Sequence, residues 1–406
     1  MFQTELMLFL LSIPHIGKQT ILKLYQEFDS FNTIYNASEI ELKKILSTKQ
    51  LSSFLNIRER TTPKELMQEL SRQNIFFYSI FDKEYPNRLL QIPDAPLGIF
   101  VKGTLPPNDA VTVSVIGARR NSYYGEKQTR AITQKLTQNN FHIVSGMAKG
   151  IDGIAQKIAL ENHVPTYAIL GCGVNICYPP ENSYLFNQIP LHGGLISEYT
   201  PNTNPCTGYF PMRNRIISGL GDVLIVTEAR EKSGTFITVD MALEQGKDIF
   251  VLPGRIDDPL SIGCNRLIAQ GAHIILDLDE LIELIKNISS QRTSIELPAD
   301  KLITKLISLY GVEKNKTKKE TASKRINPSR QDAANLAISQ YNLSEEEIIL
   351  LSLLDYHPQS LDTLHHLLNN STYKKELSIS DVSIYIMNLC FHGLARQENG
   401  LWYTKV

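Results

Sequence analysis

Between residues 111 and 284 the chain repeats one pattern: a short run rich in Val and Ile, a glycine-containing turn, then a helix-length stretch. The apolar runs fall at 111–116, 141–145, 165–170, 223–227, 248–252 and 272–276. Runs that are apolar throughout have no face to spare for water, so each strand must be covered on both sides, and the intervening helices supply the cover. The pattern predicts an α/β fold, a Rossmann-like doubly wound domain with a mostly parallel sheet. Ligands of such sheets bind beyond the carboxyl ends of the strands, at the loops that open the helices.

The flanking segments read differently. Residues 1–84 are short helices carrying ten basic and ten acidic side chains. Within them Ile13-Pro14-His15-Ile16-Gly17-Lys18 is a turn between two apolar helices, the layout of a small SAM or helix-hairpin-helix domain. Such a hairpin offers backbone amides to a phosphate. The stretch from Tyr85 to Gly103, with three prolines, reads as an extended connector adding an edge strand to the domain that spans 85–288. Residues 289–340 are predicted to be a basic disordered linker, since 286–330 hold 11 Lys/Arg against 4 Asp/Glu and 313–330 have little to bury. Residues 341–406 pattern as three helices and two strands around Asn399-Gly400, a winged-helix module. Residues 331–406 hold 9 acidic and 4 basic residues, and the module's third helix, near Val382 to Phe391, has no Lys or Arg. Reading a duplex takes cations, so protein contact suits it better.

A formal net charge of -1 over 406 residues leaves no global basic field, and a polyanionic partner would have to be held by local patches. No apolar run approaches the roughly 20 residues of a membrane span, and the N-terminus lacks the basic start of a signal peptide. The five scattered cysteines, without metal-ligand spacing, are expected to be reduced thiols of a cytoplasmic protein that uses no metal.

The unusual residues sit in the predicted loops. After the first strand comes Gly117-Ala118-Arg119-Arg120, where a dinucleotide fold would place its second glycine at Arg119. This argues against NAD or FAD, and for no cofactor of that kind, and puts a cation beside a helix start. Ser145-Gly146-Met147-Ala148-Lys149 ends the next strand with amides free to point outward, and Asp152 is placed to cap the following helix. Asn182 closes Tyr178-Pro179-Pro180-Glu181-Asn182 as a cap or hydrogen-bonding group. Ser233-Gly234-Thr235 opens another helix with small residues and hydroxyls. In Phe210-Pro211-Met212-Arg213-Asn214-Arg215, two fork-shaped cations flank an asparagine behind an aromatic ring. One of the two arginines could equally brace the rim through a carboxylate such as Glu198 or Glu228. Several helix starts and three arginines on one rim suit a chain of phosphates better than one small ligand.

The ordered set Gly117-x-Arg119, Ser145-Gly-Met-Ala-Lys-Gly-Ile-Asp152, Tyr178-Pro-x-x-Asn182, Phe210-Pro-x-Arg-Asn-Arg215, Ser233-Gly-Thr235, Pro253-Gly254 and Gly263-x-Asn-x-Leu-Ile268 resembles the DNA-processing protein A family, also called DprA/Smf. The resemblance implies a non-enzymatic protein of natural transformation. It would bind incoming single-stranded DNA, shield it, load the recombinase RecA onto it, and dimerise through the Rossmann-like domain. Gly117, Arg119, Ser145, Gly146, Lys149, Asn182, Phe210, Arg213, Asn214, Arg215, Ser233, Gly234 and Thr235 would line the DNA path, with Phe210 stacking on a base. Thr207 stands where the family can carry a lysine, and the loop from Gly171 to Cys177 lacks the usual acidic residues. The competing class is a nucleoside-monophosphate phosphoribohydrolase, which needs a glutamate where this chain has Thr238.

Overall fold

A nine-stranded sheet orders its strands β1-β2-β6-β5-β4-β3-β7-β8-β9. They are β1 Phe76–Ser79, β2 Gly98–Gly103, β3 Thr112–Ile116, β4 His142–Ser145, β5 Thr166–Ile169, β6 Gly194–Ser197, β7 Val223–Val226, β8 Asp248–Val251 and β9 His273–Ile274. From β6 to β9 every neighbouring pair is parallel, while β2 runs antiparallel to both β1 and β6. The computed structural model describes residues 3–291, 298–310, 344, 346–347, 349–350, 364–365, 378–391, 395–398 and 401–404.

Six helices precede β1: α1 Gln3–Ser12, α2 Lys18–Phe28, α3 Phe31–Asn36, α4 Glu39–Leu42, α5 Thr48–Arg60 and α6 Pro63–Arg72. The short α7 Asn87–Gln91 lies between β1 and β2. Then come α8 Tyr123–Gln138, α9 Ile151–Glu161, α10 Ser183–His192, α11 Tyr209–Leu220, α12 Thr235–Glu244, α13 Ile262–Ala269, α14 Leu278–Ser290 and α15 Ala299–Leu309. The strand period of two sorts side chains to the two faces. Val223 and Ile225 pack with Val113, Val115 and the buried sides of α8, α9 and α14. Leu224 and Val226 pack with Ile216, Ile217 and Leu220 of α11. Among the described residues no helix is long and apolar enough to cross a membrane.

Four details depart from the sequence expectation. The strand of the 85–103 connector is β2, which is internal, and the edge belongs to β1, from a segment read as helical. Strand β6, Gly-Leu-Ile-Ser, escapes the pattern because Leu195 and Ile196 alone do not register as an apolar run. The run at 272–276 contributes just two exposed strand residues, His273 and Ile274. Lastly, 289–340 is not linker from its start. Helix α15 buries Leu302, Ile303 and Leu306 against the helical side of the body. Its amphipathic spacing was outweighed in the sequence by the basic residues around it. The core of the predicted linker, 313–330, lies outside the described residues.

The N-terminal helices share one continuous core with the sheet, so the first 84 residues are packed into the same compact unit as the α/β domain rather than standing apart. The turn between α1 and α2 holds His15 at φ 67°, a left-handed conformation where glycine is usual. The residues from 317 onward form a second unit. It contains α16 Ile379–Phe391, with Val382, Ile386 and Leu389 buried, and the antiparallel pair β10 Ala395–Glu398 and β11 Leu401–Thr404. The two helices expected before α16 fall almost wholly outside the described residues.

Truncating Leu306 to Ala should remove about 2–4 kcal/mol of packing at the α15 contact. By hydrogen exchange, the α15 amides should lose protection while those of β3 and β7 keep theirs.

Candidate nucleic-acid interface

At the carboxyl ends of β3, β4, β5 and β7, an open cleft of about 630 Å³ is lined by Gly117, Arg119, Arg120, Tyr178, Phe210, Arg213, Asn214 and Ser233 to Thr235, among others. A smaller recess of about 80 Å³ shares Arg119, Tyr178, Phe210 and Arg213 and adds Gly146 and Lys149. Helix α11 supplies three of the side chains because its first turn faces the cleft while Ile216, Ile217 and Leu220 anchor the rest in the core.

Two aromatic rings form a platform. Phe210 and Tyr178 stack with centroids 5.3 Å apart and planes 28° from parallel, and the Arg119 guanidinium lies 5.9 Å from the Phe210 centroid. That is within reach of a cation–π contact. A side chain at Gly171 would put its Cβ 2.8 Å from Phe210 Cδ1, so only glycine lets the ring lie there.

The two arginines of α11 have parted roles. Arg213 faces the cleft from a buried position, donating from Nη1 to the Gly146 carbonyl at 2.9 Å. Its Nε has no hydrogen-bond partner among the described residues. Burial brings its pKa down to about 10, with the nearby Asp152 opposing and Arg119 adding to the fall. It remains charged at neutral pH. Asp152 accepts from the Gly146 amide at 3.1 Å, and burial pushes its carboxyl above the ordinary value. A Cβ at Gly146 would come within 2.9 Å of Asp152 Oδ2 and both Arg213 Nη atoms, so the glycine makes room for this pairing of charges.

Arg215 turns the other way. Nη2 donates to both oxygens of Glu198 at 2.7 and 2.8 Å, Nε donates to Asp94 Oδ2 at 3.0 Å and to the Asp94 carbonyl at 2.9 Å, and Nη1 donates to the Met212 carbonyl. Burial works against its charge, and the Glu198 and Asp94 carboxylates outweigh it, holding the guanidinium above its ordinary pKa. Asp94 also accepts from Lys18 of α2 and from the Tyr310 hydroxyl at 2.6 Å, so α2, α11 and the end of α15 meet on one carboxylate.

Of the residues picked out by sequence, Gly117, Arg119, Phe210, Arg213, Asn214, Ser233, Gly234 and Thr235 come together on the main cleft, and Gly146 and Lys149 on the recess. Arg215, Ser145 and Asn182 do not face it. Ser145 is fully buried and donates to the Val115 carbonyl at 2.7 Å. Asn182 donates to the Met147 and Ala148 carbonyls, pinning the loop before α9. The Gly146 amide, expected to point outward, is taken by Asp152, and Asp152 bonds back to that loop instead of capping α9. Lys149 pairs with Glu181 at the exposed rim. Helix α12 starts at Gly234 without a side-chain cap, and the Ser233 hydroxyl is partnerless among the described residues. Sequence reasoning missed Tyr178, Arg120 and Arg230, which all line the cleft. The signals were present: Tyr178 heads the motif read for Asn182, and Arg120 doubles Arg119.

The family model for DNA recombination-mediator protein A matches residues 76–286. Protein Smf of Synechocystis is 30% identical over 403 residues, covering 97% of this chain and 96% of that one. The chain belongs to the DNA recombination-mediator protein A family. Within this family, DNA processing protein DprA of Streptococcus pneumoniae is 43% identical over 198 residues, 49% of this chain and 70% of that protein. The X-ray structure of the Streptococcus pneumoniae DNA processing protein A superposes with a TM-score of 0.58 at 34% identity, covering 69% of this chain and 97% of that one. The family match runs from β1 into α14, so it takes in every cleft residue named above.

Replacing Arg215 by Ala leaves Glu198 and Asp94 facing each other in a half-buried site and should cost roughly 3 kcal/mol of stability. Arg119→Ala, at an exposed position, should stay within about 0.5 kcal/mol. The Asp94 carboxyl is pushed up by burial and, more strongly, down by Arg215 and Lys18, for a net depressed pKa. A depressed carboxylate stabilises the fold above its unfolded value and loses that contribution as pH falls through its folded value. Denaturation below about pH 4, the ordinary aspartate range, should therefore cost wild type more stability than Arg215→Ala.

Proposed function

We propose that this protein is a single-stranded DNA-binding recombination mediator that shields incoming DNA and loads RecA onto it during natural transformation. The observation that carries this reading is the make-up of the cleft: an aromatic pair capped by Arg119, a buried Arg213 and an uncapped helix start, all on one open groove. Flat rings accept any base, and guanidinium groups with helix amides accept phosphates, which is the chemistry of strand binding without sequence preference. A duplex keeps its bases stacked on each other and gives such a platform nothing to hold.

On this reading Arg119, Phe210, Tyr178, Arg213 and Asn214 touch the strand, and Ser233, Gly234 and Thr235 meet a phosphate. Gly117 and Gly146 admit close approach, and Lys149 joins when DNA displaces its exposed partner Glu181. Arg215, Ser145 and Asn182 act as braces that hold the contacting loops. The protein works as a homodimer through its Rossmann-like domain, in the cytoplasm, without a metal or cofactor. The N-terminal helices form a SAM or helix-hairpin-helix-like module, and the C-terminal winged helix contacts protein, consistent with the absence of Lys and Arg from α16. No catalytic role is assigned, because a phosphoribohydrolase would require a carboxylate where Thr238 lies buried.

In mobility shifts the full chain should retain oligo-dT far better than duplex of equal length. Arg119→Glu should weaken oligo-dT binding by about tenfold or more, and Phe210→Ala by roughly 5- to 100-fold if one base stacks there. Affinity should fall steeply with added salt. Equal affinity for all variants, or release of free adenine from AMP by the pure protein, would contradict the reading.

A further inference from the structure

At the cleft's Arg120 and Arg230 rim and just past it, one aromatic ring and several cations have no pairing partner among the described residues. Tyr123, the first residue of α8, is 82% exposed. Its backbone is nonetheless rigidly held. The adjacent Ser122 donates its amide and hydroxyl to the buried Glu228, and accepts from the Gly125 amide at 3.0 Å. A Cβ at Gly125 would collide with the Glu228 carboxylate at 2.2 Å, so the glycine admits the carboxylate under the turn. Next to it, the Tyr124 hydroxyl donates to the Pro253 carbonyl at 2.9 Å. Tyr123 is thereby presented to solvent on a pinned turn, three residues from Arg120.

The charges nearby are lopsided in a definite way. Three carboxylates of the flanking elements are already taken: Glu231 by Arg266 at 2.7 Å, Asp257 by Arg255 at 2.8 Å, and Glu126 by Arg130 at 3.1 Å. Arg120, Arg230 and Lys232, all exposed, form no ion pair among the described residues. Cations unpaired among the described residues, together with an exposed ring carried on a pinned turn, match a polyanion that carries flat bases. Neither a small anion nor an acidic peptide would need the ring.

We infer that the bound single strand leaves the Tyr178–Phe210 platform, passes the start of α12 and continues onto a second stacking position at Tyr123, its phosphates neutralised by Arg120, Arg230 and Lys232. This rests on the single-strand reading above and deepens it, since it gives the strand a length and a direction across the protein. A short oligomer fills only the platform, while a longer one reaches both rings.

The test is fluorescence anisotropy on the full chain with oligo-dT of about 6 and about 20 nucleotides, one near the short end of common single-strand site sizes and one beyond the long end. Tyr123→Ala should weaken the long oligomer about tenfold and change the short one by less than about twofold, and Tyr123→Phe should behave as wild type. Tyr123→Trp supplies an independent readout: its fluorescence should be quenched by the long oligomer and not by the short one. Unchanged affinity of Tyr123→Ala for both lengths, or equal weakening of both, would overturn the second position while leaving the platform standing. Wild type that binds neither length would overturn the single-strand reading and this inference with it.

Discussion

Everything in the cleft hangs on how Arg215 is held. Helix α11 carries Phe210, Arg213 and Asn214 toward solvent, and a helix offering its polar residues to an open groove needs a fixed point on the other side. Arg215 provides it, with two hydrogen bonds to Glu198, two to Asp94 and one to its own helix. Glu198 directly follows β6, and Asp94 lies between α7 and β2. The guanidinium thus ties α11 to the antiparallel end of the sheet. Lys18 and Tyr310 join at Asp94, so the N-terminal helices and α15 bear on the same point. An ion pair this enclosed gains little net stability over an apolar contact, yet losing one partner is expensive. Its value here is geometric: it sets where the first turn of α11 points.

Pairing is what separates the cations proposed to bind from the structural ones on this surface. Arg215 and Arg88 each have a carboxylate in hydrogen-bond contact and are almost wholly buried. Arg119, Arg120 and Arg230 line the cleft without one among the described residues. Arg213 is intermediate, buried and close enough to feel Asp152, but with a donor left over. Exposed cations left unpaired add little to folding, and their worth appears when a polyanion arrives and releases its counterions. On the proposed reading, a chain with net charge -1 holds a polyanion because its positive groups are concentrated in a few loops.

The sheet was legible in the sequence because Val- and Ile-rich runs alternating with helices admit few other arrangements. All six runs became strands, and the two central ones flank the cleft. What escaped was masked by context: β1 lies in a segment read as helical, β6 offers only Leu195 and Ile196 as large apolar residues, and the Leu302, Ile303 and Leu306 spacing of α15 sits among lysines. The site was legible as a set of loops but not as side-chain directions. Arg213 and Arg215 look equivalent in sequence, and their divergence depends on Glu198 and Asp94, which come from remote segments. Likewise Asn182 and Ser145 carry the right chemistry for DNA contact and spend it on neighbouring carbonyls. Tyr178 heads a motif that was read, but its stacking on Phe210 of α11 is a relation between remote segments that no local pattern encodes.

The central claim is that bases stack on the Phe210–Tyr178 platform. The most direct measurement is ultraviolet cross-linking of full-length protein to thymine oligomers, followed by identification of the modified peptide. Cross-links at Phe210 or Tyr178, abolished by competing single strands and not by duplex, are the predicted result. Cross-links confined to the C-terminal unit, or cross-linking that duplex competes away equally well, would contradict it.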